Sequence, residues 1–439
     1  NANGYFSYTP NNGYSGLDSF TYKANDGTAD SSPATVTLQV GEVTAGLVGW
    51  WKLDESSGTA AADSSGSNNN GALQNGPVWQ PTGGAVGGAL QFDGSNDMVT
   101  LPDDLIRSDT SLTLTLLFKT TGTGVLVGYQ NQPYPTAPSN YANALYIGTD
   151  GKLRGQYWDA VKGALPVTTT NKVNDGHWHM VALVGNDTTH TLYLDGQAVG
   201  TLSGGTINHF DMSKNQLGMG YAAGTWPANN YGWFPFNGLM DDVRLYNRPL
   251  SQAEVQALMP NIPPDPAEDV YVVAVNGTLS TAMPGVLAND YDTNNDPLFA
   301  IKLTDPANGS VTSFNANGSF TYVTNNGFQG VDSFTYKAND GVNDSAPGTV
   351  TIYVGDITSG LVGWWKLDES SGTTAADSSG NNNTGTLLNG PVWQPTGGMR
   401  NGALQFDGTD DYFYAGDILN SLALPMSFTF WVKKTGTQT

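Results

Sequence analysis

The chain has no cysteine, which excludes disulfides, thiolate metal sites and cysteine nucleophiles at once. No apolar run approaches the roughly 18 residues of a membrane-spanning helix, so no membrane insertion is expected of this segment. Basic residues are few: 17 Lys and Arg stand against 39 Asp and Glu, for a net charge of -22. Nucleic acid is therefore an unfavourable partner, because no basic patch can displace counterions from phosphates. Glutamate is scarce as well, confined to Glu42, Glu55, Glu254, Glu268 and Glu369. There is no phosphate-binding glycine loop, no Gly-x-Ser-x-Gly elbow and no His-Glu-x-x-His helix.

What is present is turn chemistry. The chain holds 55 Gly and 23 Pro, with abundant Thr, Asn and Asp between short apolar runs. Such a composition predicts all-β structure with many turns. The aspartates have two possible uses. Asp bends and caps backbone through its own hydrogen bonds, and it supplies hard oxygen ligands for calcium.

The most informative feature is a repeat. Gly46 to Gly58, Ala62 to Gly66 and Leu90 to Gly94 return as Gly360 to Gly372, Ala376 to Gly380 and Leu404 to Gly408, each 314 positions on. About three-fifths of the overlapping positions are identical, which makes this a tandem repeat. The sequence reads as a window on a periodic protein, opening inside one unit and closing inside the next.

Residues 1–41 carry alternating runs, Tyr5 to Tyr8, Ser19 to Lys23 and Ala34 to Val40, with the period of half-buried strands. The fuller copy, residues 260–355, adds Val270 to Ala274, Gly285 to Asp290 and Phe299 to Leu303. About seven short strands without cysteine predict a small Greek-key sandwich. Here Val286-Leu-Ala-Asn-Asp-Tyr-Asp-Thr-Asn-Asn-Asp-Pro-Leu298 and Gly330-Val-Asp-Ser-Phe-Thr-Tyr-Lys-Ala-Asn-Asp-Gly341 resemble the bacterial cadherin-like, Ig-like repeats of large surface proteins. The resemblance implies an extracellular spacer, often calcium-stiffened, and not a catalyst.

Residues 42–259 form a larger module of strand-like runs. Its one plausible helix, Ser251 to Leu258, opens on a capping box of Ser251 with Glu254. The remainder suits a double-sheet jelly roll. Trp50-Trp-Lys-Leu-Asp-Glu55, Asp63-Ser-Ser-Gly66, Phe92-Asp-Gly94, Asp175-Gly-His-Trp-His179, Leu192-Tyr-Leu-Asp-Gly196 and Gly238-Leu-Met-Asp-Asp-Val-Arg-Leu-Tyr-Asn-Arg-Pro-Leu-Ser251 stand in the order of laminin-G-like, concanavalin A-like jelly rolls, which the module resembles. The expected fold is thus all-β, a tandem array of Ig-like Greek-key sandwiches and concanavalin A-like jelly rolls. In it, residues 1–41 are the C-terminal part of one Ig-like domain. Residues 42–259 are a jelly roll, 260–355 a complete cadherin-like domain, and 356–439 the N-terminal part of a second jelly roll. Half a sandwich exposes unpaired strand edges, so that part is expected to be completed by chain beyond Thr439 or by a neighbouring chain. The junction Asn261-Ile-Pro-Pro-Asp-Pro266 reads as a short, semi-rigid linker.

Calcium is the expected cofactor. In the resembling jelly rolls, the loop aspartate and the aspartate of the late Gly-Leu-Met-Asp-Asp motif share a cation. Carried over, this proposes Asp63 with Asp241, helped by Asn68 or Asn70; the alternative is that Asp63 caps a turn while Asp241 pairs with Arg244 or Lys52. In the small module Asp290, Asp292, Asn294, Asp296 and Asp340 form a second candidate cluster, with a metal-free turn as the alternative. His177 and His179 would share a strand face, but no third ligand is spaced to join them. A weaker candidate is glycan binding by the loop aromatics Tyr134, Tyr157, Trp158, Trp226 and Trp233, which could equally be core or contacts between subunits. No catalytic residue is proposed: a glycosidase would need two carboxyl groups about 5 to 9 Å apart. Asp241 and Asp242 would face opposite ways on a regular strand. The expected function is a secreted or bacterial cell-surface structural and adhesive repeat protein, partnered by neighbouring repeats or copies of itself. The alternative is a module that binds an extracellular polysaccharide.

Overall fold

The computed structural model describes residues 4, 6–11, 16–106, 109–355, 361–398, 401–418 and 427–433. The expected run Tyr5 to Tyr8 and the start of the second jelly-roll part lie partly outside them. Two eight-stranded sheets make the large module. The first runs, in spatial order, Val167–Thr168, Leu153–Gly155, Tyr141–Ile147, Gly124–Gln130, Lys214–Leu217, Met98–Leu101, Gly71–Gln74, Ala60–Ala61. The second runs Gln197–Ser203, Thr189–Leu194, Trp178–Asn186, Ser111–Lys119, Asn237–Tyr246, Ala89–Asp93, Val78–Gln80, with Leu47–Trp51 also paired to Asn237–Tyr246. Between them lies one apolar core that includes Trp51, Phe92, Leu114, Leu116, Phe118, Tyr146 and Phe236. The alternation in Leu112 to Phe118 explains the layering: Leu114, Leu116 and Phe118 point into this core, whereas Leu117 points out of it.

The outward side of the second sheet is also covered. Leu117, Met180, Ala182 and Tyr246 share a buried cluster with Val255 of the helix Gln252–Ala257 and Leu258, its C-cap. Ser251 caps that helix, with the Ser251 side chain and Glu254 bonded reciprocally as the capping box requires. Val43, on the incoming connector, and Ile262, on the outgoing one, are buried in the same cluster. Both connectors are therefore held to one face of the jelly roll by side chains removed from water.

The small module pairs a four-stranded sheet, Asp269–Val273, Gly348–Val354, Gly330–Asn339, Phe299–Lys302, with a three-stranded one, Thr278–Ser280, Phe320–Thr324, Gly309–Phe314. Inward residues Phe320, Tyr322, Phe334, Tyr336, Val350 and Ile352 form its core. One expected strand is absent: Gly285–Leu287 is a 3-10 turn. Gly285 adopts φ 56, and a Cβ there would meet the Gly318 carbonyl oxygen at 2.1 Å, so the chain turns tightly under its neighbour instead of extending. Residues Gly16–Tyr22 and Ala34–Val40 form an antiparallel pair. They are the counterparts, one repeat earlier, of strands in the small module. Further on, Thr374–Ala375, Gly385–Leu388 and Tyr412–Tyr414 form a three-stranded sheet, beside the pair Val392–Gln394 and Ala403–Gln405.

Candidate functional site

Asp63 and Asp241 do not share a site. The Asp63 carboxylate accepts N–H bonds from Trp50 (2.9 Å), Ser65 (2.8 Å) and Asn69 (2.8 Å), and an O–H bond from Ser65 (2.8 Å). Burial works against its charge, but these donors together hold its pKa below the usual carboxylate value. Its oxygens are spent on closing the loop. Asn70 serves the same loop, its Oδ1 accepting the Asp63 N–H at 2.8 Å. Asn68 is exposed at a left-handed turn, φ 61. The second copy repeats the arrangement at Asp377, which accepts from Trp364, Ser379 and Asn383.

Asp241 lies elsewhere and is fully buried. Its Oδ2 accepts the Val86 N–H at 2.9 Å, and its Oδ1 has no hydrogen-bond partner. Burial, opposed by the Val86 bond but reinforced by Asp242 and Asp54, raises its pKa to about 8. Asp242 did not go to the opposite face. A bulge interrupts the register between Asp241 and Arg244, and Asp242 takes φ 47; the extra residue rotates the chain, and both carboxyls line one cavity. That cavity, about 360 Å³, is bounded by Trp50, Lys52, Asp54, Val86, Arg244 and the connector segments Gly41 to Val43 and Ala257 to Pro260. Asp242 is already engaged, bonded to Arg244 at 2.9 Å and to the Trp50 indole at 2.5 Å. Asp54 accepts the Gly88 N–H at 2.7 Å. The glycine loop between them is sterically required: a Cβ on Gly84 would stand 1.9 Å from the Gly88 carbonyl oxygen and 2.8 Å from Asp241. Asp242, and not Asp241, makes the ion pair with Arg244 at this edge.

The acids of the small module divide into two groups. Asp290 turns inward, where it accepts the Tyr336 hydroxyl (2.8 Å) and the Ala267 N–H (3.0 Å). It neighbours Asp269, whose pKa burial and the Asp290 charge raise to about 7. The other group surrounds the linker. Asp292 accepts the Asp296 N–H at 2.8 Å through one oxygen, and Asp340 accepts from Val342 and Asn343 through one oxygen. The second oxygen of each is buried without a partner, as is the Asn261 side-chain oxygen. Burial comes first among the causes that raise the Asp292 pKa, with the Asp296 and Asp340 charges adding to it. Asn294 holds the linker from both sides, accepting the Ile262 N–H and donating to the Pro260 carbonyl, each at 2.9 Å. Asn343 donates to the Asn261 carbonyl at 3.0 Å. Among the described residues, the group of three carboxylates whose oxygens all lie within 4.8 Å of one another is a different and exposed one, Asp407, Asp410 and Asp411.

The same junction carries direct contacts between the modules. Thr293 donates to the Trp178 carbonyl at 3.0 Å in a buried position. The His177 ring stacks on Tyr291 at 4.0 Å, with its Nδ1 3.0 Å from Asp265. His179 turns into its own module. Burial opposes its charge, but Asp175 and Asp195 raise its pKa to about 9. The histidines thus serve packing and ion pairing.

The aromatic candidates also divide. Tyr157 and Trp226 are core residues, 0% and 2% exposed, so neither presents a face to a sugar. Aromatic residues in loops carry no period that would have revealed this. Trp158 is half-buried against Phe210 and Trp226. Tyr134 and Trp233 stay half-exposed and join a ladder of edge-to-face rings: Tyr134 to Trp233 at 5.0 Å, Trp233 to Tyr221 at 5.3 Å, Tyr221 to Tyr141 at 5.1 Å. Asp54, Asp242 and Asn261 were not expected at any site. Asp54 stands inside the repeated Trp-Lys-Leu-Asp-Glu run, which could have drawn attention to it.

Three family models match successive parts of the chain. Residues 93–256 match the concanavalin A-like lectin/glucanases superfamily, 261–356 the bacterial cadherin-like domain, and 1–39 the bacterial Ig domain. The chain is an array of these domains. Bacterial Ig and cadherin-like domains are typical of surface or extracellular proteins. Among the described residues, no helix is long and apolar enough to cross a membrane. No curated protein matches. Solved structures with a similar fold include domain 4 of an extracellular GH43 arabinanase from Geobacillus stearothermophilus in complex with arabinotriose, at 18% identity and TM-score 0.36, covering 49% of this chain and 99% of that one. Trypanosoma rangeli sialidase is 20% identical with TM-score 0.35, over 49% of this chain and 32% of its own. A receptor-binding domain of botulinum neurotoxin mosaic serotype C/D is 11% identical with TM-score 0.38, over 69% and 73%.

Proposed function

We propose that the protein is a repetitive extracellular structural and adhesive polypeptide whose module junctions are fixed by calcium. One observation carries this reading: at the linker between jelly roll and cadherin-like domain, Asp292, Asp340 and Asn261 each bury an oxygen that no donor satisfies. Buried acceptors left unpaired are costly, and a hard cation that takes six to eight oxygens is the group that suits them. Asp296, whose charge acts on Asp292, could supply a further oxygen. The Asp241 cavity at the other junction supplies a second seat of the same character, with Asp54 as its second carboxylate. Calcium at either place would neutralise carboxylates that now repel one another and would tie a connector to its module. Because Val43 and Ile262 leave the jelly roll from one face, the cadherin-like and Ig-like domains would form the stalk, and the jelly rolls would project from its side.

Thermal unfolding of the chain with calcium and then with excess chelator tests this. A cation that binds only folded protein raises the melting temperature by mass action. The expected result is a rise of several degrees that Asp292→Asn with Asp340→Asn diminishes; identical curves with calcium and chelator would sink the calcium reading. A second reading, glycan binding by the jelly roll, is supported by the half-exposed ladder of Tyr134, Trp233, Tyr221 and Tyr141, since ring faces are what sugars stack on. Loss of glycan-array binding in Trp233→Ala, with the fold intact, is its expected signature.

A further inference from the structure

The two outer faces of the cadherin-like domain differ in kind. The three-stranded sheet turns Thr278, Ser280, Ser310, Thr312 and Thr321 to solvent, as an unpartnered sheet face does. The four-stranded sheet turns out Val270, Val272, Val331, Phe299 and Ile301, which are 62%, 57%, 56%, 46% and 42% exposed, with Leu303 just beyond at 45%. Cross-strand register gathers them at two ends of the face: Val270, Val272 and Val331 at one, and Phe299 and Ile301, opposite Asn339 and Lys337, at the other. Val272 lies opposite Tyr353, which lies opposite Val331. Val270 lies opposite Thr351, which lies opposite Ser333. On its outward positions this face holds no carboxylate, in a chain of net charge -22. Its outward charge is Lys337, which with Asn339 holds the neighbouring Asp344, so the carboxylate at this edge is already paired.

We propose that this face is where a second copy of the chain docks side by side, the two four-stranded sheets meeting face to face. Exposed apolar area of this sort, concentrated at Val270, Val272 and Val331, marks an interaction site. Charge indicates the partner. Two strongly acidic chains repel each other over most of their surfaces, and they close most readily where carboxylates are absent or already paired. An isologous pairing places this neutral face against itself. The earlier Ig-like copy agrees in sequence: the positions 314 residues earlier are Leu17, Ser19, Thr21, Lys23, Thr35, Thr37 and Gln39, again without an acid. A neutral face that recurs along the chain lets weak single contacts add through multivalency. The inference rests on the structural reading above only in taking the chain as a periodic polymer; the calcium seats play no part in it.

Sedimentation velocity of the 439-residue chain over a wide concentration range, in chelator throughout, tests the proposal. The expected result is reversible dimerisation that strengthens as salt screens the net charge. Val331→Asp with Val272→Asp should weaken it at least tenfold with unchanged melting temperature, since both side chains already face water. Ile301→Lys, at the other end of the face, should weaken it as well, and Thr278→Asp with Thr321→Asp on the opposite sheet should leave it unchanged. A chain that stays monomeric at every concentration and at high salt overturns the proposal. So does association that survives Val331→Asp with Val272→Asp and Ile301→Lys, for instance through the exposed strip Phe428 to Val432. Chelator-insensitive monomer beside a calcium-dependent melting shift would fail this inference alone; the reverse pattern would fail the calcium reading alone.

Discussion

The loop at Asp63 and the cavity at Asp241 each hold an aspartate with the appearance of a ligand, and they use it in opposite ways. Asp63 receives four hydrogen bonds from its own loop and from Trp50. Asp241 receives one from Val86 and keeps an oxygen without a partner in the interior. A carboxylate saturated by N–H groups is a post that organises backbone. One left short of donors, with a second carboxylate near, is a seat for a proton or a cation. Residue type is alike in the two places; the count of donors separates them.

The largest expected effect comes from removing the post. Asp63→Ala leaves the N–H groups of Trp50, Ser65 and Asn69 without their acceptor and should cost about 3–4 kcal/mol of jelly-roll stability, at the upper end for a broken network. The loss should be the same with calcium and with chelator when measured by urea unfolding. A loss seen only with calcium present would return Asp63 to the list of ligands and break the comparison.

Next in size is His179, an ion-paired post of the opposite charge. His179→Gln leaves Asp175 and Asp195 without their cation and should cost about 3 kcal/mol near neutral pH, as breaking a buried pair does. The pH dependence has a definite sign. The folded pKa, about 9, lies above the ordinary 6.5, so the stabilisation is complete below about 6.5 and is lost as pH rises through 9. Unfolding of the wild type between pH 6 and 10, in chelator, should show this decline, and His179→Gln should flatten it. A decline of equal size in the variant would assign it to other groups.

How much of this could be read from the sequence follows from what each residue depends on. Period-two alternation is a local property, so the strands around Leu114, Met180 and Phe334 and their inward faces were legible, as was the capping box of Ser251 and Glu254. The domain series was legible because so many motifs recur in order. The placement of Asp242 was not, because alternation assumes a regular strand, whereas Asp242 takes φ 47 and bonds the indole of Trp50, 192 positions away in sequence. Likewise Tyr157 and Tyr134 look alike as loop tyrosines. Only the burial of Tyr157, whose hydroxyl donates to the Leu183 carbonyl, separates core from surface. Ligand partners were hardest, since Asp241 meets Asp54 through a fold and not through a spacing.

The smallest effect on stability, and the sharpest on the comparison, belongs to Asp241→Asn. Asparagine keeps the size of the side chain and resembles the protonated acid that burial favours here. In chelator the change should be within about 1 kcal/mol of wild type, because no buried charge is gained or lost below the raised pKa. With calcium the variant should give up that part of the stabilisation which depends on a second negative oxygen beside Asp54, while the linker seat at Asp292 and Asp340 keeps its own share. Calorimetric titration of wild type, Asp241→Asn and Asp292→Asn with Asp340→Asn would separate the two seats: each variant should remove one class of binding and leave the other. If Asp241→Asn instead leaves the titration unchanged, the cavity holds a proton where a cation was proposed, and its unpartnered oxygen differs from Asp63 only in being neutral.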